Sequence, residues 1–472
     1  MNLYRAIYKS VSGRFITYIV QFSALALYAR LFTPEEFGVI ASIQVFVLFF
    51  QMLSDVGIGP AIINETKFEI EKRDGMFTFT ALIGISLAII FYFFSYLLNF
   101  FYGGYEYQNI AILVSIAIFF NSLNILPITA MNKDARFIEL AVIDVSVEIF
   151  SVLLIFILYK SNFGLLSLAA RSPITAVIKF TMTWILCLKT DLGRPNFGTK
   201  LYHIKSILRF SLFQFGFNFI NYFSRNLDNI LIAKYFGMIS VGIYEKAYQL
   251  MRYPLMITTF AMTPAIQPIL MVYRNEVNLI IEEHNKLTKR LLTLSLPISA
   301  FIYLNSKVIV LTVFGEQWYN VEPLIKIFSF MIPVQAVLST SGSFFQVMNK
   351  PNLLFYSGFL SAILNIIAVC IGVLSGDMNT LAIALVVTFT INFFQAYFIL
   401  FKYCFAFSLK GFYFGLFKGA IVTFWPIFIY SLIQYYLLSN INLSSILSLF
   451  VNILVGTLVI LVFMRPIKNQ LK

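Results

Sequence analysis

Long apolar stretches separated by short polar ones run along the whole chain. A helix needs about 20 mostly apolar residues to cross a hydrocarbon core of about 30 Å. Fourteen stretches meet this length: 11–30, 37–60, 77–100, 108–131, 138–159, 163–187, 207–233, 237–268, 288–306, 324–348, 352–374, 379–401, 412–438 and 443–464. The pattern predicts an all-α polytopic membrane protein with about 14 transmembrane helices.

The stretches differ in how clearly they are marked. Residues 77–100 contain no charge, and the charge-free run 419–464 is long enough for two helices. The ninth stretch, 288–306, is the weakest because Lys307 interrupts it. Residues 307–322 could instead form a helix at the membrane surface.

Composition agrees with a membrane location. Hydrophobic residues make up 60% of the chain and charged residues 12%, against about 25% charged in soluble proteins. Mean hydropathy is +0.85. These values exclude a soluble multidomain enzyme. A net charge of +13 would suggest nucleic acid in a soluble protein, but the distribution of the charge points elsewhere.

Most Lys and Arg residues fall in alternate loops, which the positive-inside rule places in the cytoplasm. The opposite loops hold few basic residues: Arg30, Lys160, Lys234, Lys307 and Lys326. This asymmetry predicts a multi-pass protein with an even number of spans and with cytoplasmic N- and C-termini. External loops are too short for an extracellular domain.

An internal repeat appears when the chain is aligned with itself at an offset of 204 residues. The first copy reads Leu27-Tyr28-Ala29-Arg30-Leu31-Phe32, then Phe37-Gly38-Val39-Ile40, and later Pro60-Ala61-Ile62. The second reads Leu231-Ile232-Ala233-Lys234-Tyr235-Phe236, then Val241-Gly242-Ile243-Tyr244, and later Pro264-Ala265-Ile266. Glycine, proline and a basic residue match without gaps, which favours a true repeat over chance similarity of apolar helices.

The repeat predicts two six-helix lobes of the same topology, an arrangement that transporters use with a substrate site between the lobes. We predict an N-terminal lobe at 1–188, a cytoplasmic linker at 189–206, a C-terminal lobe at 207–404, and two further helices, 13 and 14, at 405–472.

Several of these motifs resemble those of a known family. They are Ala29-Arg30-Leu31-Phe32-Thr33-Pro34-Glu35-Glu36-Phe37-Gly38, Asp55-Val56-Gly57, Asn226-Leu227-Asp228-Asn229, Ala233-Lys234-Tyr235-Phe236-Gly237, Gly242-Ile243-Tyr244 and Ala247-Tyr248. The chain resembles the Wzx-type polysaccharide flippases of the multidrug/oligosaccharidyl-lipid/polysaccharide exporter superfamily over nearly its whole length. The resemblance implies movement of an undecaprenyl-diphosphate-linked oligosaccharide from the cytoplasmic to the outer leaflet of a bacterial inner membrane. The partners that the resemblance implies are this lipid-linked glycan, the lipid bilayer and the polysaccharide polymerase machinery.

Ionisable residues inside the predicted spans need a reason, since each costs about 2.5–3.5 kcal/mol on insertion scales. The repeated helix pairs carry two sets of charged and polar residues. Candidates for lining a cationic substrate cavity are Arg14, Gln21, Arg225, Lys246, Gln249 and Arg252. Candidates for structural ion pairs are Asp55, Asp228 and Glu245. Arginine suits a diphosphate because its planar fork binds phosphate oxygens bidentately.

A second charged cluster lies on the predicted fifth and sixth helices. Asp144 and Glu148 are four residues apart and share a face, and Arg171 and Lys179 form a matching stripe. Two interpretations stay open. The cluster is either an ion-pair network within one lobe or a proton or cation site coupled to transport.

Motifs of the common enzyme classes are missing. The sequence contains no G-x-x-x-x-G-K-[ST] phosphate loop and no H-E-x-x-H, and its two histidines are far apart. We therefore expect no catalytic residues, cofactor, metal or nucleic-acid partner. Two alternatives to a flippase are a multidrug or small-solute antiporter of the same fold and a membrane glycosyltransferase or polymerase. An ion gradient and the membrane potential are both compatible with the sequence as the driving force.

Overall fold

The computed structural model describes residues 3–55, 69–200, 222–223, 226–256, 259, 263–438 and 443–463, and for 3–14, 263–265 and 268 it describes the backbone alone. Nearly all of this part of the chain is helical. In chain order the helices are α1 Leu3–Leu31, α2 Pro34–Asp55, α3 Ile70–Tyr102, α4 Tyr107–Leu123, α5 Ile125–Lys133, α6 Phe137–Lys160, α7 Leu165–Ala169, α8 Arg171–Leu186, α9 226–235, α10 Met238–Leu255, α11 Thr263–Leu270, α12 Val277–Val313, α13 Glu322–Ser329, α14 Met331–Leu338, α15 Ser341–Val347, α16 Pro351–Ser375, α17 Met378–Ile399, α18 Leu409–Tyr436 and α19 Ser445–Val462.

Within the described residues, ten helical segments are long and apolar enough to cross a membrane, and one bent pair makes an eleventh. The predicted all-α, multi-pass membrane architecture is confirmed. The predicted spans 207–233 and 237–268 lie partly outside the described residues. The count of fourteen therefore stays a prediction.

The weakly marked ninth span is one uninterrupted helix in the structure. Helix α12 has 37 residues, about 55 Å at 1.5 Å per residue, which exceeds the hydrocarbon thickness. It begins eleven residues before the predicted start at 288 and continues past Lys307. The hydropathy pattern underestimated the length of α12 because the ends of this helix carry charged residues, which lower hydropathy but still have good helix propensity. The alternative of a separate surface helix at 307–322 is wrong for residues up to Val313.

The tenth predicted span, 324–348, is bent rather than straight. Its two halves, Glu316–Ser329 and Met331–Val347, meet at an angle of 51°. Phe330 lies at the break, and Pro333 follows within the first turn of α14. Proline lacks the amide hydrogen that continues a helical hydrogen-bond ladder, which accounts for a bend at this place.

The chain divides into two compact units, one formed by residues 19–242 and the other by residues 243–472 together with 1–18. We call them the N-terminal and C-terminal units. The predicted lobe boundaries, at a linker spanning 189–206, stay predictions.

In the N-terminal unit, the two copies of the repeat meet at equivalent glycines. A Cβ on Gly38 would lie 1.8 Å from the backbone oxygen of Met238, and one on Gly242 would lie 1.9 Å from that of Pro34. Pro34 and Met238 are also equivalent positions, 204 residues apart. The contact is therefore reciprocal, as it is around a twofold axis. Glycine at both positions lets the two helix starts approach this closely.

Segments predicted to lie outside contact one another in this unit. Tyr105 donates a hydrogen bond of 2.5 Å to the carboxylate of Glu35. Burial and this bond both raise the pKa of the Tyr105 hydroxyl. Lys234 donates to the backbone oxygen of Phe101 and lies 4.9 Å from its ring centroid. The loops at residues 32–36, 101–106 and 234–238 therefore share one end of the unit.

Segments predicted to lie inside meet at the other end, where the linker packs on α3. Asp74 accepts a hydrogen bond of 2.9 Å from the backbone of Asn196, and its backbone oxygen accepts one of 3.2 Å from Gly198. Arg73 pairs with Asp74 at 2.8 Å and donates to the backbone oxygen of Leu192 at 2.6 Å. The described part of the linker is thus fixed to the start of α3.

In the C-terminal unit, α12 and α18 pack side by side in the same direction. Contacts along the pair join His284 to Phe412, Lys289 to Gly419 and Phe301 to Tyr430. Residue numbers rise together on both helices, as expected if three intervening spans return the chain to the starting side. Further along, Asn305 donates a 2.8 Å hydrogen bond to the Tyr430 hydroxyl. Helix α19 completes the group, with Gly456 against both rings.

Aromatic rings surround a buried histidine where α12 and α18 begin. His284 is fully buried, with the Phe344 ring 4.7 Å away and the Phe401 and Phe412 rings 5.4 Å away. Its Nδ1 bonds to Asn285 at 3.1 Å. The rings of this cluster belong to an apolar core of the unit, which joins the starts of the two helices.

Candidate functional site

Helix α10 carries four of the predicted intramembrane polar residues. Lys246 is only 3% exposed, and its Nζ donates a hydrogen bond of 3.3 Å to Gln249. Residues three apart on a helix are neighbours, so the geometry follows from the helical repeat. Arg252, one turn beyond Gln249, is exposed, and Glu245 is half-buried. The structure thus places two of the candidates for the substrate cavity, Lys246 and Gln249, in a hydrogen bond and leaves the side chain of Arg252 accessible.

The other candidates are placed less completely. The side chain of Arg14 and the whole of Arg225 lie outside the described residues, so the predicted pairing of Arg225 with Asp228 is not tested. One Asp228 oxygen accepts a 2.8 Å hydrogen bond from the backbone of Asn229. Gln21 is half-buried on α1, and Asp55 is the last residue of α2 and exposed.

The second charged cluster is arranged as two ion pairs between α6 and α8. Glu148 pairs with Arg171 at 2.9 Å, and Asp144 pairs with Lys179 at 2.7 Å. Each acid thus has its own base, which removes the repulsion expected between two carboxylates on one helix face. The structure brings together all four residues that the sequence pattern had grouped.

The cluster extends to α1 through a residue that the sequence analysis did not select. Tyr28 is buried, and its ring centroid lies 5.1 Å from the Arg171 guanidinium, within range of a cation–π interaction. Its hydroxyl and that of Ser151 are 3.3 Å apart. Tyr28 belongs to the first copy of the repeat. Its hydroxyl, in an otherwise apolar stretch, was the feature of the sequence that could have indicated this contact.

Burial differs between the two pairs. The side chain of Glu148 is 8% exposed, whereas those of Asp144 and Lys179 are 38% and 31% exposed. A buried charge depends on its partner far more than an exposed one does. Glu148 is therefore the member of the cluster whose charge most needs compensation.

Comparison with known proteins adds evidence beyond the geometry. A family model described as "Polysaccharide biosynthesis protein" matches residues 27–323. The teichuronic acid biosynthesis protein TuaB of Bacillus subtilis (strain 168) is 25% identical over 433 residues, 88% of this chain and 85% of that protein. The succinoglycan biosynthesis transport protein ExoT of Rhizobium meliloti (strain 1021) is 21% identical, covering 78% of this chain and 74% of that protein.

Solved structures share the fold. The lipid II flippase MurJ in an inward closed conformation matches with a TM-score of 0.77 at 17% identity, over 98% of this chain and 99% of that one. An outward-facing multidrug resistance transporter of the MATE family matches with a TM-score of 0.57 at 14% identity, over 84% of this chain and 95% of that one. The family match covers more than half of the chain, and it agrees with the Wzx-type resemblance of the sequence motifs. The chain therefore belongs to the polysaccharide biosynthesis protein family of membrane transporters.

Proposed function

We propose that the protein is a flippase that moves an undecaprenyl-diphosphate-linked oligosaccharide repeat unit from the cytoplasmic to the outer leaflet of a bacterial inner membrane. The repeat unit then serves cell-surface polysaccharide synthesis. The observation that carries the proposal is a fold shared along 98% of the chain with a lipid II flippase. Family membership supports the polysaccharide context.

We propose that transport works by alternating access and that the basic residues of α10 bind the diphosphate. Lys246 hydrogen bonds to a neutral amide, and Arg252 is exposed on the same helix. A guanidinium stays charged throughout a transport cycle and can hold two phosphate oxygens at once. We propose Arg14 and Arg225 as further contacts, and Gln21 and Gln249 as hydrogen-bonding groups for the head group.

A multidrug or small-solute antiporter is the second candidate, because MATE transporters share the fold. Their TM-score of 0.57 is lower than the 0.77 of the lipid II flippase. A path lined by Lys and Arg would also repel cationic drugs. A membrane glycosyltransferase or polymerase is disfavoured by external loops too short to present catalytic groups.

The direct test locates undecaprenyl-diphosphate oligosaccharide in cells depleted of the protein. The proposal expects completed repeat units to accumulate on the cytoplasmic face and to be exported again after re-expression. Normal export would contradict it and favour the antiporter. Outward-facing units that fail to polymerise would indicate an enzyme.

Substitution of the basic residues tests the substrate path. Arg252→Ala and Arg225→Ala are each expected to lower transport about tenfold or more, since a hydrogen bond to a charged group contributes about 1.5–3 kcal/mol. Export of labelled repeat units per folded protein measures this. Arg252→Lys should retain part of the rate. Arg274→Ala, which removes an exposed arginine after α11, should transport normally. Wild-type rates in both Arg252→Ala and Arg225→Ala would remove these residues from the path.

Cysteine labelling tests the proposed orientation. Glu106 and Asn196 are both exposed, in the loop after α3 and in the linker respectively. In a chain without its native cysteines, Glu106→Cys is expected to react with an impermeant maleimide added to intact cells. Asn196→Cys should react only after permeabilisation. The reverse pattern would invert the proposed topology.

A further inference from the structure

Two lysines, Lys289 and Lys418, lie near the contact between α12 and α18, and within the described part of the chain neither forms an ion pair with an acid. The side chain of Lys289 passes 3.4 Å from the Cβ position of Gly419, so it lies beside the residue that follows Lys418. Lys418 directly precedes Gly419, so the two lysines carry like charges close to the contact between the helices. Among the described residues, neither has a carboxylate within ion-pair distance.

A neighbouring lysine shows the contrast. Lys286, nearly one turn before Lys289 on the same helix, pairs with Glu282 at 2.6 Å and with Glu283 at 3.3 Å. Among the residues that the structure describes, Lys286 is therefore neutralised by acids, whereas the next lysine of the helix, Lys289, is not. Two like charges held close together repel each other, and a bound anion would remove that repulsion.

The surface next to these lysines is apolar. Lys418 lies 4.4 Å from the centroid of the exposed Phe414 ring, and the exposed Phe417 and Ile421 follow on the same helix. Trp425, also exposed, lies two turns beyond Lys418, about 10 Å deeper along α18. The lysines thus stand at one end of a lipid-facing apolar strip.

We propose that Lys289 and Lys418 bind the phosphate of an anionic phospholipid whose acyl chains lie along the Phe414–Trp425 face of α18. Charge complementarity accounts for the head group, and continuity with an exposed apolar strip accounts for the chains. A soluble anion has no acyl chains and would not contact the apolar strip. The site uses helices other than α10 and does not depend on the transported substrate.

Trp425 provides the test, because bound acyl chains would pass it. Full-length protein is reconstituted in phosphatidylcholine vesicles that contain a small fraction of brominated phosphatidylglycerol or brominated phosphatidylcholine. Quenching of Trp425 is isolated by subtracting the signal of a Trp425→Phe variant, which retains Trp184 and Trp318. Stronger quenching by phosphatidylglycerol is expected, with roughly a fivefold preference per lysine, which falls as salt rises.

Matched variants separate this site from general charge effects. Lys289→Gln/Lys418→Gln should abolish the preference, and Lys289→Arg/Lys418→Arg should keep it. Lys410→Gln removes one charge from an exposed position in the first turn of the same helix and should change nothing. Equal quenching by both lipids, a preference that survives the double Gln variant, or its loss on adding inorganic phosphate at constant ionic strength would each overturn the proposal.

Discussion

Gly38→Ala is expected to lower the free energy of unfolding by about 3 kcal/mol or more, at the upper end of the cost of overpacking. The added Cβ would lie 1.8 Å from the backbone oxygen of Met238. Because that neighbour is backbone, no rotamer change relieves the collision, and the two helix starts must separate. Thermal unfolding in detergent, followed by size-exclusion chromatography, measures the loss.

The reciprocal geometry supplies a second variant and a control. Gly242→Ala meets the oxygen of Pro34 at 1.9 Å and should cost a similar amount. The double variant should lose less than the sum, since one separation relieves both collisions. Gly358→Ala, with no atom within 4 Å of its Cβ position in α16, should be neutral or stabilising by up to about 1 kcal/mol. If Gly38→Ala melted like Gly358→Ala, the close crossing would not exist in the folded protein.

Glu148→Gln is expected to have the second largest effect, a loss of about 2–3 kcal/mol. Breaking a buried ion pair costs about 3–5 kcal/mol because one charge is left behind. The partial exposure of Arg171, whose side chain is 44% exposed, reduces that value. The abundance of folded protein and its melting temperature in detergent give the measurement.

Two comparisons distinguish structure from coupling. Asp144→Asn breaks the more exposed pair and should cost about 1 kcal/mol or less. Arg171→Gln added to Glu148→Gln should recover part of the stability, since no unpaired charge then remains. Normal stability of Glu148→Gln together with loss of ion-dependent transport would instead indicate the coupling interpretation.

The repeat was the most informative signal in the sequence. Its offset of 204 residues predicted which helices are equivalent, and the structure places the equivalent glycines Gly38 and Gly242 in one reciprocal contact. Charge spacing was similarly useful on α6 and α8, because helical periodicity alone puts Asp144 and Glu148 on one face. Such features follow from the regular spacing of residues along a helix, which can be read directly from a sequence.

Other features depend on partners distant in sequence. Residues 277–287 of α12 precede the predicted apolar stretch, and packing on other helices, including the aromatic cluster at His284, stabilises them. The role of Tyr28 depends on the position of Arg171, more than 140 residues away. The roles proposed for Arg14 and Arg225 follow from their charge and from their positions in the sequence.

The parallel pairing of α12 and α18 constrains how the protein is made. Asn305 carries its amide into the bilayer long before Tyr430, its hydrogen-bond partner, has been synthesised. Three intervening spans must enter the membrane and turn before the two helices can pack together. During that interval the Asn305 amide nitrogen has a partner on its own helix, the backbone oxygen of Phe301 at 2.8 Å. The bond between Asn305 and Tyr430 forms only after α18 has been inserted, so the packing of α12 on α18 belongs to a late step of folding.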